Sequence, residues 1–169
     1  MKTTALAFIA ALALALAPVA FGQAPSPKPA YQVEFLLTSQ TASAAPVTHD
    51  YTLLLRASGA PADINTGDKI PISTGDHQQF SYHSIGVRLH CTLLPVSTST
   101  GKVPLRVTAE VNSIASRPAI ADPGPPTIST VSTSFETQVS VDRKQTIASF
   151  DDATTHTHYQ LAVLVKPVQ

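Results

Sequence analysis

The sequence has no tryptophan, a single cysteine and few aromatic residues. Phe and Tyr make up 6% of the 169 residues, which argues against a carbohydrate platform or an aromatic cage, since both depend on stacked rings. Cys91 has no second cysteine to pair with, so stability has to come from a buried core or from assembly. The charge is balanced, with 11 Lys and Arg against 11 Asp and Glu. Electrostatics therefore give no reason to expect a nucleic-acid partner or an anionic membrane surface.

The N-terminus has the composition of a secretory signal peptide. Lys2 precedes an apolar run of Ala, Leu, Phe and Ile at residues 5–17, and the small residues Ala20 and Gly22 follow. We therefore predict a signal peptide at residues 1–22, cleaved after Gly22. A membrane anchor is the alternative, but the run is shorter than the roughly 20 residues that cross a bilayer. The prediction is an exported protein of the periplasm, the outer-membrane periphery or the extracellular space.

Beyond the signal peptide, apolar and polar residues alternate with a period of two, which is typical of half-buried strands. We assign residues 23–47 to a Pro-rich leader and a first strand, and residues 48–169 to one β-domain. The sequence predicts an all-β fold, an antiparallel sheet or sandwich of about six to seven strands. The clearest alternating runs are residues 31–37, 49–57, 78–96, 103–114, 127–141, 145–150 and 157–168.

Two features inside this pattern predict local irregularities. Residues 59–75 are rich in turn residues, and Pro71 lacks a backbone N–H, so the short apolar piece around it should be an edge strand or a crossing segment. In the run at 78–96 the alternation changes phase near Gly86. A glycine at such a position indicates a bulge or a sharp bend. Residues 116–126 contain four prolines and are predicted to be a loop.

Several short motifs follow one another in a fixed order along the chain. They are Gly67-Asp68-Lys69-Ile70-Pro71-Ile72, Tyr82, Ile85-Gly86-Val87-Arg88-Leu89, the run at 105–114, Asp142-Arg143-Lys144-Gln145-Thr146-Ile147 and the final strand at 161–167. In this order they resemble the C-terminal β-domain of the bacterial secretins, the outer-membrane ring proteins of secretion and pilus systems. The resemblance covers about residues 50–168, and its most specific part spans residues 67–89.

The resemblance implies a channel module rather than an enzyme, with two departures from the family pattern. Ala148-Ser149-Phe150 stands where the family has Gly-Gly-Leu, and only residues 151–156 separate the last two strands, where the family has an insertion at the lip of the gate. We therefore expect a stand-alone module without ring domains or the gate insertion.

Among the six histidines, His156 and His158 are the candidate metal ligands. Placed at i and i+2 in a strand, both side chains would point to one face. A third ligand could come from His83, His90, Asp151 or Asp152. The alternative is that all of these are solvated polar residues of an exposed face.

We predict no catalytic residues and no cofactor. Cys91 is in phase with apolar neighbours, which is typical of a buried cysteine that acts as a small hydrophobic residue. His90 should point to the opposite face, which argues against a Cys–His pair. The Asp151-Asp152 pair has the composition of a turn.

The predicted function is non-enzymatic: a structural or protein–protein association role at the bacterial cell envelope, through sheet edges that bind a partner or another copy. Contact with a membrane is expected only from an oligomer, if at all. The alternative function is a soluble periplasmic β-sandwich that binds a small ligand or a metal ion through His156 and His158.

Overall fold

The computed structural model of the chain describes residues 29–57, 59–73, 80–95, 101–116 and 126–168. The predicted signal peptide and residues 117–125 of the loop predicted at 116–126 lie outside this part of the chain. Eight strands follow one another, one or two more than the sequence analysis predicted. They are β1 (Ala30–Thr41), β2 (Val47–Arg56), β3 (Ala62–Ser73), β4 (Phe80–Leu93), β5 (Lys102–Ser116), β6 (Thr127–Ser140), β7 (Gln145–Asp152) and β8 (Thr157–Val168). No helix in this part of the chain is long and apolar enough to span a bilayer.

The strands form two four-stranded antiparallel sheets. The first sheet has the order β2-β1-β8-β7 and the second β3-β4-β5-β6. The first strand of the chain therefore lies between β2 and the last strand, β8, where its pairing runs from Ala30↔Val168 to Thr41↔Thr157. The second sheet is a meander of consecutive strands, as their short connections favour.

The two sheets pack face to face around one apolar core. Alternate residues of β1, β4, β5 and β8 point inward, as the period of two predicts. The fully buried members of highest volume are Phe35, Leu37, Leu55, Leu89, Leu105 and Leu161. The all-β sandwich that the alternation predicted is confirmed.

Strand β4 leaves its neighbour β5 part-way along its length. Its pairing with β5 extends from Leu93↔Leu105 to Gly86↔Asn112, whereas its pairing with β3 continues to Ser73↔Phe80. Beyond Gly86, β3 and β4 therefore form a two-stranded arm.

Two glycines face each other at the base of this arm. Gly67 and Gly86 pair directly, with φ of 145° and 132°. A Cβ on Gly67 would lie 1.8 Å from the carbonyl oxygen of Ile85, and one on Gly86 would lie 2.2 Å from that of Thr66. Only glycine permits the two backbones to approach this closely.

Two local predictions need correction. Of the bulge or sharp bend predicted at Gly86, the bulge is absent from the β3–β4 pairing, whose register is continuous. The change of phase marks the end of contact with β5. The turn-rich stretch at 59–75 contains a twelve-residue strand, β3. It is an edge strand, as Pro71 predicted, because an edge tolerates a missing N–H.

Candidate functional site

The sheet edges expose backbone groups whose direction follows from the hydrogen bonds. In an antiparallel ladder, successive residues point their N–H and C=O groups alternately to the two sides. The backbone N–H of Ser140 donates to Gln145 Oε1 at 3.2 Å, and the N–H of Leu94 donates to the carbonyl of Pro104 at 3.0 Å. By alternation, even-numbered residues of β6, such as Ser132, point their backbone groups away from β5.

The same reasoning applies to the edge strand β2. The N–H of Ala57 donates to the carbonyl of Pro29 at 3.0 Å, so odd-numbered residues of β2 point toward β1. The backbone groups of Thr52 and Leu54 then face away from the sheet. On β7 the outward residues are Ser149 and Asp151, and on β3 they are Asp63 and Asn65. Each of these residues also has an exposed side chain.

The edges are grouped on the two sides of the sandwich. Strand β2 contacts β3 along one side, and β6 contacts β7 along the other. Each side therefore presents two edge strands, one from each sheet.

At the end of β7, three polar side chains form a hydrogen-bonded line on the exposed face. His158 Nδ1 donates to Asp151 Oδ1 at 2.7 Å, and Ser149 Oγ lies 3.1 Å from His158 Nε2. Because a carboxylate can only accept, Nδ1 carries the proton and the lone pair of Nε2 is free to accept. An open cavity beside these residues is lined by Asp151, His156 and His158 together with Gln40. We call Gln40, Ser149, Asp151, His156 and His158 the His158 corner.

The predicted strand placement of His156 is wrong. β8 begins at Thr157, and His156 lies in the preceding turn with φ of 53°. The two histidines therefore do not share a strand face by alternation, although both line the same cavity. Of the residues considered for a third ligand, Asp151 contacts His158. Within the described ranges, no group of three or more His, Cys, Asp or Glu side chains is arranged to hold a metal ion.

Asp152 is part of the turn and of the contact between the sheets. Its Oδ1 accepts from the backbone N–H of Thr154 at 2.8 Å and of Thr155 at 3.2 Å, and from Ser129 Oγ of β6 at 2.9 Å. Burial raises the pKa of Asp152, but hydrogen bonds from Thr155, Ser129 and Thr154 outweigh it and leave the pKa below its ordinary value. The turn role follows the sequence prediction, whereas the bond to Ser129 joins residues that no sequence motif connects.

The remaining candidates are separated from the His158 corner. His83 and His90 lie on β4 in the other sheet, and His90 Nδ1 donates to Asp63 Oδ1 at 2.7 Å. Cys91 is fully buried, and burial raises the pKa of its thiol to about 12. The predicted role of Cys91 as a small hydrophobic residue is confirmed, because such a thiol is protonated at neutral pH.

Residues 40–148 match the sequence model of the Secretin family, described as bacterial type II and III secretion system protein. The chain belongs to the secretin family. No curated protein matches the chain, so the secretin assignment depends on the family model.

Solved secretins share this fold. The type II secretion system secretin GspD of E. coli K12 superposes with a TM-score of 0.58 at 9% identity, covering 84% of this chain and 51% of that one. PulD in the Klebsiella pneumoniae outer membrane complex gives 0.58 at 9% identity, covering 84% and 40%. InvG of the Salmonella SPI-1 injectisome gives 0.56 at 9% identity, covering 84% and 62%.

The resemblance noted in the sequence is therefore confirmed in both family and fold. The chain spans about half of GspD and less of PulD. Secretins are channel proteins of bacterial secretion systems rather than enzymes, and the outer membrane complex that contains PulD indicates an envelope location for the secretin relatives.

Proposed function

We propose that this secretin is exported and acts without catalysis, as a structural module that assembles with further copies at the bacterial cell envelope. The observation that supports the proposal is the arrangement of edge strands. Each side of the sandwich offers two edges with outward N–H and C=O groups, and such edges are templates for strand addition.

Strand direction favours a head-to-tail arrangement. Each sheet has four antiparallel strands, so its two edge strands run in opposite directions. If the next copy is related by rotation about an axis along the strands, its β7 comes beside β2 and its β6 beside β3. Both contacts are then antiparallel, and both sheets continue from one copy into the next.

Face matching supports the same arrangement. The outward-pointing residues of β2, β3, β6 and β7 all carry their side chains on the outer faces. Pairing two such edges therefore places outer face beside outer face and core face beside core face. A repeated contact of this heterologous type closes into a ring or extends into a filament.

Size-exclusion chromatography with light scattering on the exported protein tests this proposal. We expect a discrete multimer. A Ser132→Pro substitution removes an outward N–H of β6 without touching the hydrogen bonds to β5, so it should shift the protein toward monomer while the melting temperature of the monomer stays nearly unchanged.

Ser132→Ala is the matched control, because it removes the exposed hydroxyl but keeps the N–H. This variant should assemble as the parent does. A parent protein that stays monomeric up to its solubility limit would contradict the proposal, as would a Ser132→Pro variant that assembles normally.

Export is part of the proposal and has its own test. Cleavage after Gly22 predicts a mature N-terminus at Gln23, which mass spectrometry of the protein from a periplasmic extract would detect. Recovery of the uncleaved chain from the cytoplasm would contradict it. The alternative function is a soluble periplasmic β-sandwich that binds a small ligand or a metal ion, and the observation that supports it is the open cavity that His156 and His158 both line.

A further inference from the structure

We propose that one end of the sandwich docks on a membrane surface of anionic phospholipid headgroups, through Arg56, Lys102, Arg143 and Lys144. We call these four residues the basic end. The strength of this contact rests on the proposed assembly, because copies related by rotation about an axis along the strands carry their basic ends on the same rim.

Strand pairing in the first sheet defines this end. Arg56 is the last residue of β2 and is opposite Ala30, the first residue of β1. Ala30 is in turn opposite Val168, the last residue of β8. The ends of three neighbouring strands therefore lie together, and Arg56 belongs to them.

The second sheet reaches the same end through the turn between β6 and β7. Lys102 begins β5 opposite Ser140, the last residue of β6. In the turn that follows, Asp142 donates its backbone N–H to the carbonyl of Val165 in β8 at 2.8 Å. The two basic residues of this turn come next, so the cations of both sheets lie at one end.

The charge at this end is unbalanced, although the charge of the whole chain is balanced. All four cations are exposed and, among the residues that the structure describes, none of them forms an ion pair. Asp142 adds one negative charge beside them, which leaves the basic end with a net charge of +3. The nearby Lys166 and Glu34 neutralise each other at 2.8 Å.

The opposite end of the sandwich has the reverse sign. In the described part of the chain, Asp68, Asp151 and Asp152 lie there with Lys69, a net charge of −2. Each copy is therefore polar along its strands, and an anionic surface attracts the basic end and repels the other. This polarity fixes which end of the assembly faces the surface.

The spread of the cations favours a plane of anions over a compact ligand. Arg56 ends the edge strand β2 and Lys144 immediately precedes the other edge strand, β7, about 14 Å away across three strand spacings. Side chains this far apart do not converge on one small anion. Each Lys or Arg near an anionic membrane strengthens binding about fivefold, and a rim of several copies multiplies this effect.

Co-sedimentation of the exported protein with lipid vesicles tests the proposal. The assembled protein should bind phosphatidylcholine vesicles that contain about 30% phosphatidylglycerol and should not bind phosphatidylcholine alone. Raising the NaCl concentration from about 0.01 M to about 1 M shortens the screening length about tenfold and should release the protein. Arg143→Gln combined with Lys144→Gln should weaken binding about 25-fold or more, because two cations are lost from each copy.

Lys69→Gln combined with Arg88→Gln is the matched control. It removes the same charge from the arm and from the outer face of β4, so it should leave vesicle binding unchanged. Melting curves of both double variants should coincide with that of the parent. The proposal would be overturned by equal loss of binding in the two double variants, by equal binding to both kinds of vesicle, or by binding to polyglutamate but not to vesicles.

Light scattering on the same samples separates this proposal from the assembly. A multimer that does not bind anionic vesicles would overturn the docking surface and leave the assembly intact. A monomeric parent would contradict the assembly. If that monomer bound anionic vesicles weakly and lost this binding when the two basic turn residues were replaced, the docking surface would be supported.

Discussion

Strand β4 consists of two stretches whose large apolar residues lie on opposite faces and in opposite environments. On the core side of Gly86, Leu89 and Cys91 are fully buried between the sheets. On the other side of Gly86, Phe80 is 58% exposed and Tyr82 66% exposed, because these even-numbered residues point to the face opposite to that of Leu89 and Cys91. An apolar residue at every second position therefore shows that a strand forms, whereas burial depends on which face of the strand meets the second sheet.

The β5–β6 hairpin also extends beyond Gly86 and Asn112, where β4 parts from β5, but it keeps a contact with the first sheet. Beyond Asn112, β5 and β6 continue to pair, and the Ser129 hydroxyl donates to Asp152 of the first sheet. The β3–β4 arm has left the sheet at this point, whereas the β5–β6 hairpin is joined to the opposite sheet by a buried carboxylate.

The largest expected effect compares the two stretches of β4. Leu89→Ala should reduce the free energy of unfolding by about 3–5 kcal/mol, because it leaves a cavity between the sheets. Tyr82→Ala should change it by no more than about 0.5 kcal/mol, since the ring is mostly in solvent. Urea unfolding of both variants measures the difference. Comparable losses would show that the arm is packed in solution and would remove the contrast.

The next effect concerns the point where the two stretches meet. Gly86→Ala should cost about 2–4 kcal/mol, because it combines an unfavourable φ with a collision against the Thr66 carbonyl. Gly101→Ala is the control: Gly101 also has a positive φ, of 61°, but nothing lies within 4 Å of an added Cβ. Its cost should stay near about 1–2 kcal/mol. Equal costs in thermal unfolding would mean that close approach at Gly86 is unimportant.

A smaller effect tests the bond that holds the β5–β6 hairpin. Asp152→Asn should reduce the free energy of unfolding by about 1–3 kcal/mol at neutral pH, because the acceptor of its three hydrogen bonds becomes neutral and the bonds become weaker. Asp151→Asn, at the exposed neighbouring residue, should change it by no more than about 0.5 kcal/mol.

The pH dependence gives a second readout of the same bond. The folded pKa of Asp152 is lowered, so the ionised carboxylate contributes stability above its unfolded pKa, ordinarily near 3.8, and this contribution is lost as the pH falls through the folded pKa. Between about pH 5 and 2, the unfolding free energy of the parent should therefore fall more steeply than that of Asp152→Asn. Parallel pH curves would contradict the assigned role of Asp152.

The core could be predicted from sequence in detail. In the alternating run predicted at 103–114, the apolar residues of one face, Leu105, Val107, Ala109 and Val111, are all buried, and β8 has the predicted bounds, Thr157–Val168. The edge role of Pro71 also followed from its missing N–H. These predictions depend only on the alternation of side chains along a strand and on backbone chemistry, and both are local.

The candidate sites were predicted less well. The sequence singled out His156 and His158, but it placed them together for a reason that the turn at His156 invalidates. The contacts of His158 with Asp151 and Ser149 arise because β7 and β8 are neighbours in a particular register, Asp151↔His158 and Ser149↔Gln160. A bulge between Thr146 and Ala148 sets that register, and no motif in the sequence predicts it.

The sequence by itself determined that the chain forms strands, which of their faces are apolar, and the family pattern that the comparisons confirmed. Only the tertiary structure decided that β1 lies between β2 and β8, that β4 parts from β5 at Gly86, and that Ser129 reaches Asp152. The physical reason is that alternation is a property of each strand alone, whereas neighbours, register and sheet-to-sheet contacts depend on residues far apart in the chain.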